Sequence, residues 1–337
     1  MDANNALVGA ESSSATDVDD RVRRRPTLTH MIRSELLALI VVLLGLGLFF
    51  TLSSPFFLSW NNWLNILSAV AVTGIVAAPA TMLLIAGQFD LSVGAGAAFV
   101  GAVLAVTLES NGLAASLALA IAAGLALGLL NGLLVSVVRV NALIATLGTL
   151  AIFRGFTRLI TDGQNVRLDG FSWLGTSRLP FRVPVAVAIF AGVMLLFGFI
   201  GRSTVFGRRI YAVGSNPVAA RLSGIKPERV VFSGFLISAA CVTLSGLILV
   251  SQLGAASPNA ATGLEFAVIT AVVLGGTTLA GGKGTILGTL LGLLIIAVLN
   301  NGLTLLNISS FWQEVARGTL LILAVSLDQI RRRLSNK

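Results

Sequence analysis

Charge is scarce in this chain: 11% of its 337 residues are Asp, Glu, Lys or Arg, against about a quarter in a soluble domain. With 55% of the residues hydrophobic and a mean hydropathy of +0.93, the apolar content exceeds what one soluble core can hide. Lipid must solvate most of it. Cysteine and histidine are scarcer still. The one cysteine, Cys241, lies in the apolar run "ISAACVTLSG" and can form no internal disulfide; the one histidine, His30, precedes the first long apolar run. No Cys/His metal site and no Cys–His or Ser–His pair can be assembled in the membrane. Most enzyme chemistries are thereby excluded, and no metal is expected.

A phosphate loop is missing as well. "GGTTLAGGKGT" imitates one, but Walker A needs a glycine five residues before its Gly-Lys and a hydroxyl after it. Here those places hold Thr277 and Gly284. "GAGAAF" from Gly94 fails the dinucleotide pattern at its last position. Nor is there a string of buried carboxylates suited to a proton relay. The ionisable groups in or beside apolar runs are Asp90, Glu109, Arg154, Arg158, Glu265, Glu314 and Arg317. Most fall near predicted ends, where a long side chain can reach the interface, and Glu314 and Arg317 are spaced to pair on one helix face.

What is present is a series of ten apolar segments, at about 36–53, 63–86, 91–109, 113–138, 141–160, 184–200, 230–252, 266–281, 284–305 and 311–328. Each approaches the roughly 20 residues that a membrane helix needs; the 266–281 run is short enough to be re-entrant or discontinuous. An all-helical integral membrane bundle of about ten transmembrane helices is expected. Residues 1–35 read as a disordered cytoplasmic tail, too long and polar for a signal peptide, and 331–337 as a basic cytoplasmic tail. With both ends cytoplasmic and ten crossings, most of the 23 basic residues fall on the cytoplasmic side, including the "RVRRR" and "RRR" clusters. That bias sets the orientation and accounts for the net charge of +9 without nucleic acid as a partner.

The basic loop at about 201–229 is the most structured connector. Asn216 before Pro217 has the pattern of an N-cap with proline at the first helical position. "VAARL" supplies a turn and a half, and Gly224 a stop. A capped helix in a cytoplasmic loop is either a well-made connector or a rigid knob for a cytoplasmic partner. Between the second and third runs, "AGQFDLSVGA" places Asp90 among apolar neighbours. It is expected to cap the third helix by accepting N–H bonds from Ser92 or Val93, with sugar contact or gating as the other reading. Asn131, Asn141, Thr146, Thr149, Asn300 and Asn301 are the remaining polar groups suited to a neutral solute. Small residues four apart, as at Gly124, Gly128 and Gly132, mark helix–helix contacts.

"FDLSVGA", "GRRIYAVGSNPVAARLSGI", "AVITAVVLGGTTLAGGKGTILGTLLG" with "NNGLTLL", and "NALIATLGTLAIFRGFTRLITDG" together resemble the permease subunits of bacterial ATP-binding-cassette sugar importers, most closely the ribose-type group. The resemblance covers about residues 36–330. It departs at Gly87-Gln88-Phe89, where the family usually has Gly-Gly-Ile before the aspartate. It implies an inner-membrane permease that dimerises with a second copy or a homologue and receives a monosaccharide from a periplasmic binding protein. It also implies that ATP and Mg sit on a separate ATPase subunit, so that the chain holds no cofactor and is not itself an enzyme. On this reading Arg208, Arg209, Asn216, Pro217, Ala219, Ala220, Arg221 and Gly224 couple to the ATPase. Asp90, Ser92, Asn131, Asn141, Thr146, Asn300 and Asn301 are translocation-path candidates. Gly87, Gly94, Gly275, Gly276, Gly281, Gly282 and Gly284 are structural breaks. The rival is an ion-gradient-driven secondary transporter of a small neutral solute, which would need a mid-membrane carboxylate and no docking loop.

Overall fold

Peptide groups in lipid have no water to bond, so each apolar run must close its own hydrogen bonds, and a helix does this within one segment. The computed structural model describes residues 28–335. Most of the expected N-terminal tail, 1–27, lies outside the described residues, as do 336–337. The helices are α1 (Leu28–Ser53), α2 (Trp60–Ile85), α3 (Val93–Ser136), α4 (Ala142–Ile160), α5 (Trp173–Thr176), α6 (Val185–Ser203), α7 (Val205–Ser215), α8 (Pro217–Leu222), α9 (Pro227–Leu253), α10 (Leu264–Leu274), α11 (Ile286–Leu305) and α12 (Ser310–Ser335). Two short strands, β1 (Val166–Arg167) and β2 (Ala255–Ala256), pair antiparallel.

Among the described residues, seven helices are long and apolar enough to cross a membrane. One of them must cross twice. At 44 residues α3 would be about 66 Å long if straight, twice the ~30 Å of hydrocarbon. Gly112, at φ 71° and ψ 169°, breaks it. The two arms fold back on each other: a side chain at Gly96 would meet Leu127, and one at Gly124 would meet Val100, the pairing of a hairpin closed near residue 112. With α12 and the span containing α10, about ten transmembrane helices result.

The short run at 266–281 is discontinuous. Its helix, α10, has 11 residues, about 16 Å, and the preceding chain from Gly254 to Gly263 is not helical. That irregular half lies along α3, where Ala255, Ala256 and Ala260 share a small crevice with Ala97, Ala98 and Gly101. The carbonyls of Ser257, Asn259 and Ala261 are bonded within local turns, while those of Pro258 and Ala260 need partners from outside the stretch. Arg154 of α4 supplies two, donating from Nη1 to Pro258 O at 3.1 Å and to Ala260 O at 2.8 Å. An arginine inside a span is thus accounted for by the irregular chain beside it.

α2 and α9 form the centre, with 72% and 61% of their apolar windows buried, against 6% for the peripheral α1. α9 packs parallel to the first arm of α3 and antiparallel to the second, where Gly124, Gly128 and Gly132 face Thr243, Ala239 and Phe232. Three boundaries differ from those read in the sequence: α1 begins at Leu28, inside the tail expected over 1–35, because a helix once nucleated in the apolar run propagates into flanking residues at little cost. α12 runs into the expected basic tail as far as Ser335, because arginine and leucine are good helix formers and arginine is favoured at a helix C-terminus. The basic loop holds two helices rather than one: α7 precedes the capped helix. Its buried residues, Gly207, Ile210 and Val213, recur every three positions on one face.

Candidate functional site

The face that carries Arg139, Arg202, Arg208 and Arg209 also carries α8. Asn216 Oδ1 accepts from the N–H groups of Val218 and Ala219, both at 3.0 Å. At the other end Ile225 N–H bonds Ala220 O and Gly224 N–H bonds Arg221 O, with Gly224 at φ +79°; this is the paired closure of a Schellman motif. Six residues would not hold a helix in water unaided; caps at both ends do so here. Val218 and Leu222 are 68% and 86% exposed, while Arg221 bonds Glu228 at the start of α9. Arg208 and Arg209 are exposed on α7. One expected docking residue faces the wrong way. Ala220 is buried and seats the helix; Ala219, exposed beside it, is the one presented.

α7 joins α8 without slack, since Asn216 is at once the C-cap of one and the N-cap of the other. From α7, Tyr211 Oη donates to Gly284 O at 2.8 Å. Burial pushes the Tyr211 phenol up from its ordinary pKa, so it stays protonated and keeps its donor. The 276–284 loop in turn reaches α2, where Gly282 N–H donates to Ile85 O at 2.8 Å. Positive φ at Gly87, Gly276, Gly281, Gly282 and Gly284 permits these turns. Gly94 lies inside a helix and is not a break, whereas Gly275 is the C-cap that ends α10. Both keep negative φ and serve close approach, Gly94 to Glu265 and Ala261, Gly275 to the backbone of Gly288.

Asp90 follows directly from Ile85 along this turn and anchors a buried polar chain. Its Oδ1 accepts from Ser92 N–H at 3.0 Å and Ser92 Oγ at 2.6 Å, and its Oδ2 faces Ser238 Oγ of α9 at a long 3.5 Å. Ser92 Oγ also accepts from Asn131 Nδ2 at 2.8 Å, and Asn131 Oδ1 accepts from Thr149 Oγ1 at 2.8 Å. Five side chains from the Asp90 turn, both arms of α3, α4 and α9 are thereby tied together. Ser238 had no signal in the sequence, since serine in an apolar run usually bonds its own helix.

The other path candidates lie apart. Asn141 is the N-cap of α4, accepting from Leu143 N–H at 3.0 Å. It lines a 740 Å³ cavity that opens between the Asp90 turn and α8, along with Gln88, Phe89, Arg139, Arg221 and Glu228. Thr146 is buried and donates to Ala142 O of its own helix at 2.8 Å, while its carbonyl accepts from Thr149 Oγ1 at 3.2 Å. Asn301 pairs reciprocally with Asn62 at 2.8 and 2.9 Å, at the opposite end of α2 from Asp90. Asn300, half-buried, neighbours that pair. Asn301 therefore clamps α2 to α11 at the far face and does not join the Asp90 site.

About ten membrane spans, a capped helix projecting from the basic face and a cavity beside it define a polytopic membrane permease. Residues 62–325 match the family described as branched-chain amino acid transport system / permease component, and the chain belongs to that family. Among its relatives, the probable ABC transporter permease protein YphD of Escherichia coli K12 is 44% identical over 305 residues, covering 89% of this chain and 91% of the relative. The ribose import permease protein RbsC of the same organism is 42% identical over 299 residues, covering 86% and 92%. Its xylose transport system permease protein XylH is 33% identical over 366 aligned positions, covering 89% and 93%. No solved structure matches the chain.

Proposed function

We propose that this chain is the permease subunit of an ATP-driven importer in a bacterial inner membrane, moving a neutral monosaccharide such as ribose or a similar sugar into the cytoplasm. Although the family description names branched-chain amino acids, two relatives similar along most of their length are named for ribose and xylose. The sugar reading follows them. The basic face is cytoplasmic by the positive-inside rule, with both termini on that side. An ATPase subunit carrying ATP and Mg docks on α8, a periplasmic sugar-binding protein delivers substrate to the opposite face, and a second permease copy or homologue completes the path. The chain supplies no catalytic group; it converts the closing of the ATPases into alternating access.

The observation that carries this reading is α8. A helix fixed by Asn216 at one end and Gly224 at the other, with Val218 and Leu222 exposed, transmits a push that a loose loop would absorb. The test is uptake of labelled pentoses, hexoses and deoxysugars by cells with and without the gene, repeated with an uncoupler while glycolysis maintains ATP. Uptake of one sugar that needs the gene and survives the uncoupler is the expected result. Uptake that collapses with the proton gradient would return the chain to the ion-driven class. Ala219→Arg in the same assay is expected to abolish uptake while leaving the amount of protein in the membrane unchanged.

A further inference from the structure

A loop that cradles phosphate presents free backbone N–H groups to the anion. In the look-alike stretch after α10 five of those groups are already committed. The N–H groups of Gly276 and Thr277 bond Val273 O and Val272 O, that of Thr278 bonds Lys283 O, that of Gly281 bonds Thr278 O, and that of Gly282 bonds Ile85 O. Thr278 Oγ1 closes on Gly281 O at 2.8 Å. The result is a stiff knuckle whose outward bonds go to protein. Three parts meet on it. α7 contributes Tyr211, through its bond to Gly284 O, and Gly214, which packs on Ile85 O and Gly282 N. α2 contributes Ile85, whose chain continues within two residues to Gly87 and the Asp90 turn. α11 begins directly after it, at Ile286.

We propose that this knuckle is the joint through which movement of the α7–α8 unit reaches the Asp90 turn, with Tyr211 as the residue that positions it. The inference rests on α8 being the docking site for the ATPase. Because Asn216 is shared by α7 and α8, a displacement of α8 moves α7 as one piece. Two contacts carry that displacement inward. The Tyr211–Gly284 bond grips one side of the knuckle, and the absence of a side chain at Gly214 lets α7 lie against Ile85 O. The knuckle and Ile85 are bonded to each other, so neither can move alone. Bonds from Gly87 N–H to Leu84 O and from Gln88 N–H to Leu83 O then pass the movement to the turn that holds Asp90.

Tyr211→Phe removes the hydroxyl and keeps the ring. The experiment uses membranes containing the full transporter, with Gln88→Cys at the cavity wall as reporter; Cys241 is buried and adds no background. The rate of maleimide labelling at Gln88→Cys is read with and without ATP plus vanadate. In a separate preparation, Val218→Cys is cross-linked to the ATPase to test docking. In the parent, nucleotide is expected to change the labelling rate severalfold. With Tyr211→Phe that change should shrink by roughly threefold to tenfold, the span of one net hydrogen bond, with the Val218→Cys cross-link and the protein level unaltered. An undiminished response in Tyr211→Phe with the cross-link intact overturns the joint while sparing the docking site. A parent response of zero overturns it equally, and so does Tyr211→Phe protein that fails to accumulate, because the bond would then serve folding alone. A missing Val218→Cys cross-link in the parent removes the docking reading, and this inference falls with it.

Discussion

Two regions of the molecule are rich in glycine, and they use it in opposite ways. Along the seam between α3 and α9, Gly124, Gly128 and Gly132 stay helical and bring two backbones together; a side chain at Gly132 would press on Phe232 Cδ2 at 2.9 Å. At the basic face, Gly276, Gly281 and Gly282 take positive φ and stop a helix so that loop backbone can be bonded from three sides. Spacing separates the cases. Glycines four apart make a flat stripe on a continuous helix, whereas adjacent glycines remove the Cβ atoms that keep a chain right-handed. The seam is built to stay closed, and the knuckle to hold a shape no helix can take.

The comparison is broken most severely at the seam. Gly128→Leu would press on Ala239 and on Phe235 O, and overpacking of this kind costs about 3 kcal/mol. A marked fall in the thermal midpoint of the detergent-solubilised protein is expected, with uptake lost in proportion; an unchanged midpoint would show that the seam is loose. At the basic face, Asp90→Leu leaves the Ser92 hydroxyl and N–H without their acceptor, a loss of about 2 kcal/mol. Asp90→Asn keeps an oxygen at Oδ1 and should cost less than about 1 kcal/mol. If the two variants lost uptake equally, the charge and not the hydrogen bonds would be what matters. A stability change of about 1 kcal/mol, well below that at the seam, is expected for Gly281→Ala at φ +83°, where the new methyl also crowds Ile85 O and Gly214 O at 3.0 and 3.1 Å. Here uptake should fall further than stability does, which is the reverse of the seam. Equal losses would erase the distinction.

Hydrophobicity and local capping chemistry were legible in the chain; contacts between distant segments were not. The apolar runs located the spans to within a few residues for α2, α4, α9 and α11, because lipid leaves a run little choice of structure. Asn216, Pro217 and Gly224 located α8 because a cap is a local device. Asn301 shows the limit. Its amide looked suited to a solute, yet its partner is Asn62, 239 residues away. Tyr211 was passed over for the same reason, since nothing near it in sequence names Gly284. α7 could have been found from the three-residue recurrence of Gly207, Ile210 and Val213, which the flanking arginines masked. The non-helical stretch before α10 carried local hints, Pro258-Asn259 bounded by Gly254 and Gly263.

The bond between Arg154 and that stretch bears on how the protein is made. A helix can leave the translocon and enter lipid alone, its peptide groups already satisfied. Residues 254–263 cannot, because the carbonyls of Pro258 and Ala260, which Arg154 satisfies in the folded protein, would otherwise meet hydrocarbon. They can settle only against a neighbour already in place, and α4, synthesised about a hundred residues earlier, is that neighbour. Arg154 gains as well, since the carbonyls give its cation somewhere to rest within the bilayer. Assembly of this chain therefore has an order written into it, in which this irregular stretch settles only once α4 is in place.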